Sequence, residues 1–311
     1  MQVYYDIGDF EPLQNAIVTS GTFDGVHLGH QKILARLTET AQTFGGESVV
    51  ITFWPHPRMV VSKDSQNLRL LSTLEEKIEL LRQNGVQHLV VIPFTREFSE
   101  LSSEEFIQQI LVEKIGTKKL VIGYDHHFGR NREGSFDYLQ QHAPRYGFQI
   151  EEIPRQEIEH ITVSSTKIRQ ALLEGDTTIA TELLGRTYTF TGIVVKGRQL
   201  GRTIGYPTAN VHITESYKLI PVDGIYAVRV EVRGQRLNGV MSIGFRPTVN
   251  GKNRTQEVYI FDFNEDVYGE KMTVELVQYI RPELKFDGLE ALTKAIEADC
   301  VAAMEVLGKA K

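Results

Sequence analysis

The pattern of this chain changes once, near Gly185, and that change limits its fold more than any other feature. Up to that point short apolar runs alternate with stretches of helical period. Residues 16–20, 48–53, 89–92, 119–123 and 148–153 read as strands. Between them a helix is expected over 28–44, with Ile33, Leu34, Leu37 and Ala41 on one face and Gly45-Gly46 ending it. Ser72-Thr73-Leu74-Glu75 and Ser102-Ser103-Glu104-Glu105 have the spacing of capping boxes, opening helices that stop near Gly85 and Gly116. A further helix is expected over 138–146. Strands separated by helices of this length predict parallel βαβ units in a doubly wound α/β sheet. The ligand of such a sheet lies beyond the carboxyl ends of its strands.

After Gly185 the alternation stops. Helical stretches at 166–173 and 179–184 form a bridge, and strands are expected over 188–195, 224–232, 237–243, 257–263 and 271–279. Short strands joined by glycine-containing turns predict a small antiparallel β-barrel or a sandwich. A terminal helix over 287–307 repeats Leu289, Leu292, Ile296, Cys300, Met304 and Leu307 at helical spacing, so Cys300 reads as packing. The 311 residues divide into two domains, expected at 1–181 and 182–311.

Acidic residues outnumber basic ones by 40 to 34, a net charge of −6. Chains that grip nucleic-acid phosphates are usually basic, so nucleic acid is not an expected partner. A single cysteine excludes an internal disulfide and a thiolate zinc site, and fits a reducing cytoplasm. The opening MQVYYDIGDFEPLQ lacks the basic start and apolar run of a signal peptide. No window approaches the roughly 20 apolar residues of a membrane helix, so no membrane association is expected.

The segment Gly21-Thr22-Phe23-Asp24-Gly25-Val26-His27-Leu28-Gly29-His30 joins the first strand to the first helix. Its glycines let the backbone approach a ligand, and the helix start offers N–H groups and a positive dipole end to a phosphate. His27 and His30, three apart, project from one face of the first turn. Two imidazoles there can stabilise charge building on a nucleotide α-phosphate. The same residues also read as a turn whose histidines cap or pack. Near the end of this half, Ser164, Ser165 and Thr166 open a helix and can bond phosphate oxygens, while Arg169 can fork onto a polyphosphate. The plainer reading is an N-cap with a solvated arginine.

GTFDGVHLGH together with SSTKIR resembles the nucleotidyltransferases that join AMP to a phosphorylated acceptor, a Rossmann-like fold. Phe53-Trp54-Pro55-His56-Pro57 and the loop from Gly123 to Gly134 are similar to segments of the bacterial FAD synthetases. The resemblance implies flavin contacts from Phe53, Pro55, His56, Pro57, Asp125, Phe128 and Arg132. It also implies nucleotide contacts from Gly21, Thr22, Phe23, Asp24, Gly29, Ser164, Ser165, Thr166 and Arg169. His126 departs from that family, where phenylalanine is common. His126 and His127 are adjacent on an extended segment and face opposite ways, which disfavours a shared metal ion.

In the second half, Gly197 to Asn210 reads GRQLGRTIGYPTAN. Pro207 keeps Tyr206 out of helix, so Thr208 and Asn210 fall on one side of an extended tail. A hydroxyl and an amide carbonyl are hard oxygen ligands suited to Mg²⁺, although a turn of hydrogen-bonding polar residues is the plainer reading. GRTIGYPTANV, GIYAVRV, GVMSIGFRPTV, EVYIFDFNEDVYG and RPELKF resemble the riboflavin kinase domain in order and spacing. That resemblance implies that Thr208 and Asn210 hold Mg²⁺ with ATP. It further implies that Gly197, Gly201, Arg202, Thr203 and Pro207 contact nucleotide, and that Glu257 is the general base. Across nearly the whole chain the resemblance is to the bifunctional bacterial riboflavin kinase/FAD synthetases. Riboflavin, ATP, FMN and FAD are its implied substrates and products. A monofunctional adenylyltransferase with a flavin-binding barrel, and a flavin-responsive regulator without turnover, are the competing classes.

Overall fold

The computed structural model describes residues 1–62, 67–124, 126–153, 163–197, 199–248 and 251–309. By contacts the chain divides into two compact units, Met1–Ser165 and Thr166–Lys311.

In the first unit β1 (Gln2–Tyr4), β2 (Ala16–Ser20), β3 (Glu47–Trp54), β4 (His88–Pro93), β5 (Thr117–Gly123) and β6 (Gln149–Ile153) form one sheet in the order β1-β4-β3-β2-β5-β6. Every pairing is parallel. The sequence expectation of a doubly wound sheet therefore holds. Side chains alternate along each strand, and both faces are buried. Ile17, Val50, Leu89 and Val121 pack with Leu34 and Leu37 of α1 (Leu28–Thr43) and Leu81 of α3 (Leu74–Gln83). On the opposite face, Val18, Ile51, Val90 and Leu120 pack with Phe106, Ile107 and Leu111. A short α2 (Pro57–Val61) lies between α1 and α3, α4 (Arg96–Ser99) follows β4, and α6 (Phe136–Tyr146) precedes β6.

The Ser102–Glu105 capping box forms as expected, but the helix it opens, α5 (Ser103–Glu105), continues as π-helix through Phe106–Lys114. The other box sits one residue later than the expected Ser72–Glu75 register: Thr73 and Glu76 exchange the two capping bonds. Both registers satisfy the pattern, and the choice is tertiary. The Ser72 hydroxyl is engaged instead with the Gly25 N–H at 3.1 Å.

The second unit opens with α7 (Ser165–Glu174), whose first residue ends the first unit, and α8 (Thr177–Leu184). The strands β7 (Tyr188–Val195), β8 (Thr208–His212), β9 (Gly224–Val232), β10 (Gln235–Thr248), β11 (Gly251–Ile260) and β12 (Lys271–Arg281) close into a barrel, β10-β11-β8-β7-β12-β9. All its pairings are antiparallel. The one-turn α9 (Leu200–Thr203) lies between β7 and β8, and α10 (Leu289–Lys309) ends the chain. Cys300, Ala303 and Leu307 of α10 pack against Ile225, Ala227 and Val240. Burial pushes the Cys300 thiol up to about 11, so it packs as a neutral group. The strand expected at 257–263 instead runs Gly251–Ile260, because Asp262 turns left-handed at φ 52°.

Candidate functional site

The β2–α1 connection holds a backbone shape that few residues adopt. Phe23, Gly25 and Val26 have φ of 48°, 79° and 39°. A β-branched residue in that region is strained by about 1–3 kcal/mol, so its surroundings must hold it. Asp24, 2% exposed, does much of this: its Oδ1 accepts from the backbone N–H groups of Leu71 at 2.9 Å and Ser72 at 3.2 Å. Ser165 Oγ donates to the Asp24 carbonyl at 3.0 Å, and the Thr52 hydroxyl faces the Thr22 carbonyl at 3.5 Å. A Cβ on Gly25 would lie 2.7 Å from Leu71 Cδ1, so a side chain there would displace Leu71 as well as strain the backbone.

The turn delivers the chain into α1 with His27 as N-cap. Its Nδ1 accepts from the His30 N–H at 3.4 Å, so the neutral ring carries its proton on Nε2. The His27 and His30 rings stack at 3.7 Å and 13°, and Phe23 meets His30 at 5.1 Å. Two imidazoles and the first N–H groups of a helix thus meet at the carboxyl end of β2. The chain runs from β2 outward through β3 and β4, then crosses back to β5 on the other side of β2. The switch point of the sheet is therefore between β2 and β5, the place where an open α/β sheet takes its ligand. Ser20 Oγ and His126 Nε2 span it at 2.9 Å.

The residues singled out for flavin lie at the same sheet edge. Phe53, in β3, contacts Phe94 and Phe98, each at 5.8 Å between centroids. Phe98 reaches Phe106 at 6.4 Å, and Phe106 reaches Phe128 at 5.4 Å. An aromatic row therefore links Phe53 to Phe128. His56, 7% exposed, caps α2 by accepting from the Arg58 N–H at 3.1 Å, with Pro57 in the first helical turn. Pro55 is exposed, as is Arg132, which has φ of 61°. Gly134 is paired with Phe128, and a Cβ there would lie 2.5 Å from the phenyl ring. Asp125 lies outside the described residues. Sequence reading missed Phe94, Phe98 and Ser20; Ser20 ends β2 and Phe94 follows β4, a place that could have marked them, whereas Phe98 lies in α4. Ser164 and Ser165 belong to the first unit, and Thr166 and Arg169 to the second.

In the barrel, β8 pairs with β11 so that Asn210 faces Glu257 and Thr208 faces Tyr259. Glu257 is 8% exposed, and its carboxylate accepts from Thr208 Oγ1 at 3.3 Å and Thr255 Oγ1 at 3.1 Å. Two backbone details shape the approach to β8. A Cβ on Gly201 would lie 2.1 Å from the Tyr206 carbonyl, and Tyr206 N–H donates to the Gly201 carbonyl at 2.8 Å. A Cβ on Gly197 would lie 2.3 Å from the Asn210 amide. The glycines thus let the loop fold closely over Asn210. Arg202, Thr203 and Pro207 on that loop are exposed. A hydroxyl, an amide and a buried carboxylate on neighbouring strands make an oxygen-rich set of the kind that suits Mg²⁺.

Family models described as FAD synthetase and riboflavin kinase match residues 9–167 and 184–307. The chain is 39% identical over 286 residues to the bifunctional riboflavin kinase/FMN adenylyltransferase of Listeria monocytogenes, spanning 92% of this chain and 90% of that protein. It is 40% identical over 291 residues to the protein of that name from Pseudomonas fluorescens, with 93% and 92% coverage. To the one from Escherichia coli K12 it is 38% identical over 301 residues, with 96% and 95% coverage. A solved structure titled a macrolide-efflux protein from Streptococcus pneumoniae shares the fold, with a TM-score of 0.88, 32% identity and 99% of both chains covered. Among the described residues no helix is long and apolar enough to cross a membrane.

Proposed function

The chain belongs to the family of bifunctional riboflavin kinase/FMN adenylyltransferases, and from that premise we propose how its residues divide the two reactions. It phosphorylates riboflavin with ATP to give FMN, then adenylylates FMN with a second ATP to give FAD and pyrophosphate. The observation that carries the division is the buried carboxylate of Glu257, bonded to Thr208 and opposite Asn210.

In the barrel, Glu257 takes the proton of the riboflavin primary hydroxyl as that oxygen attacks the γ-phosphorus of ATP and ADP leaves. Thr208 and Asn210 hold Mg²⁺ with the nucleotide, and the ion supplies charge neutralisation on the phosphates. Gly197, Gly201, Arg202, Thr203 and Pro207 form the loop over the nucleotide. Thr208, donating to Glu257, keeps the carboxylate in one orientation.

In the first unit, a phosphate oxygen of FMN attacks the α-phosphorus of ATP, and the bond from that phosphorus to the bridging oxygen breaks to release pyrophosphate. His27 and His30 stabilise the charge that develops there, with the N–H groups of the turn beneath it. Gly21, Thr22, Phe23, Asp24, Gly29 and Ser165 form that cradle; Ser164, Thr166 and Arg169 are assigned to the same nucleotide. Phe53, Pro55, His56, Pro57, Phe128 and Arg132 are assigned to the flavin, with Asp125. The domains are taken as 1–181 for adenylyl transfer and 182–311 for the kinase. Both reactions draw on ATP, which supports the cytoplasm as their place; neither nucleic acid nor membrane is a partner in this scheme.

Incubating the full chain with riboflavin, ATP and Mg²⁺ and separating the flavins tests the reading. FMN should appear first and FAD after it. Absence of both would overturn it.

A further inference from the structure

Lys77 is 2% exposed, among the most deeply buried large side chains in the protein, and no step above uses it. It projects from α3 beneath the strained turn. Its Nζ lies 3.5 Å from Thr52 Oγ1, the hydroxyl that faces the Thr22 carbonyl. It also sits 5.9 Å from the ring centroid of Trp54. The charged group acting on it is Asp24, the residue that fastens the turn to Leu71 and Ser72. From β3 it meets Thr52 and Trp54, both neutral. On its own helix, the nearby Glu76 accepts from the Thr73 N–H at 2.9 Å.

Lys77 therefore acts on two of the fastenings that hold the turn, the Asp24 carboxylate and the Thr52 hydroxyl. We propose that Lys77 is a positioning residue for adenylyl transfer: its ammonium group, through Asp24 and Thr52, holds the turn carrying His27 and His30 in the shape that receives phosphate. A buried cation is disfavoured unless it does specific work, because desolvation penalises its charged form. Here that work is to neutralise Asp24 under a backbone that would otherwise relax. The proposal rests on the assignment of adenylyl transfer to this turn.

Burial holds the ammonium well below the usual lysine range, at about 8, with Asp24 opposing the shift. The charged form should therefore be lost within a range where activity can still be measured. The full-length protein is assayed for FAD formation from FMN and ATP between about pH 7 and about pH 10, alongside Trp54 emission, the single tryptophan of the chain. FAD formation should fall, and Trp54 emission should change, with one shared midpoint near 8. In Lys77→Met the rate should be about 10²-fold lower at neutral pH, through kcat more than the KM for ATP, and neither the alkaline limb nor the emission change should remain. Lys77→Arg, which does not deprotonate in this range, should keep part of the rate without the limb.

A Lys77→Met protein within twofold of wild type would overturn the proposal. So would Trp54 titrating without a matching limb in FAD formation. If Lys77→Met does not fold, the coincidence of the two wild-type midpoints decides the matter. His30→Ala is run beside it. Normal FAD formation in that variant would undo the assignment of the site, whereas a loss there beside a normal Lys77→Met would remove Lys77 alone.

Discussion

The rings of His27 and His30 lie face to face, 3.7 Å apart, because His27 caps the helix that His30 enters and accepts a bond from the backbone of His30. Neither ring can be removed without disturbing the other's setting. His30 is the better one to change, since His27 also caps α1. His30→Ala should lower FAD formation from FMN by about 10²–10³, the loss typical of one charge-stabilising donor. Riboflavin phosphorylation by the same protein should continue, so FMN should accumulate. Loss of both activities in a folded variant would contradict separate sites.

Glu257→Gln should reverse that outcome. Gln can still bond Thr208 but cannot take up the hydroxyl proton, and loss of a general base costs about 10²–10⁴ in rate. Adenylylation of supplied FMN should survive as the control.

Asn210→Ala should impair the kinase for another reason, loss of a metal-ligand oxygen. Raising Mg²⁺ should recover part of its rate and none of the Glu257→Gln rate. The measurement is kinase rate against Mg²⁺ concentration for the two variants.

The barrel needs the helices that precede it. Thr177, Ala180 and Leu184 of α8 are buried, and α8 packs on β7 and β12. Tyr279 N–H donates to Thr177 Oγ1 at 3.2 Å. A fragment from Thr166 to the end should fold, melt cooperatively and make FMN without FAD. One starting at Gly185 should be markedly less stable, since burial of one leucine such as Leu184 contributes about 2–5 kcal/mol. Thermal melts of the two fragments compare them directly.

Lys77 also predicts how stability responds to base. Its folded value of about 8 lies below its ordinary 10.5, so between them the unfolded chain binds more protons and stability rises with pH. Relative to Lys77→Met, the wild-type first unit should gain about 3 kcal/mol across that window. Chemical denaturation at several pH values, followed by Trp54, reads this difference. A flat difference would mean that Lys77 stays charged in the fold up to its ordinary range, so that burial does not lower its value.

Much of the fold was legible because its signals are local. Four of the five longer parallel strands carry runs of Val, Ile or Leu beside glycine or capping residues, and β6 keeps Ile150 and Ile153 between polar residues. The β2–α1 turn was legible for the same reason. The three-residue β1 was not, since so short a strand has no period to detect, and its place depends on pairing with β4. The π-helical stretch after Glu105 left no trace in a pattern that reads equally as α-helix. The capping register at Ser72 or Thr73 was decided by Gly25, 47 residues earlier. Lys77 escaped notice because an exposed lysine on an amphipathic helix looks the same in sequence. Only the packing of α3 against β3 turns it inward.

The two units differ in what they present to a neighbouring chain during folding. In the barrel β9 and β10 pair and close the ring, so each of its described strands has a partner on both sides. The sheet is open and ends in β1 and β6. One of these is three residues long. The other carries Glu151 and Glu152, with Glu151 held by Arg36 and Lys119. A short strand and a charged strand are poor templates for a second copy to extend. Replacing Glu151 and Glu152 by valine would remove that protection from one end only. The consequence would show as aggregation during refolding of the sheet unit, while the barrel fragment, with no edge to guard, stayed in solution.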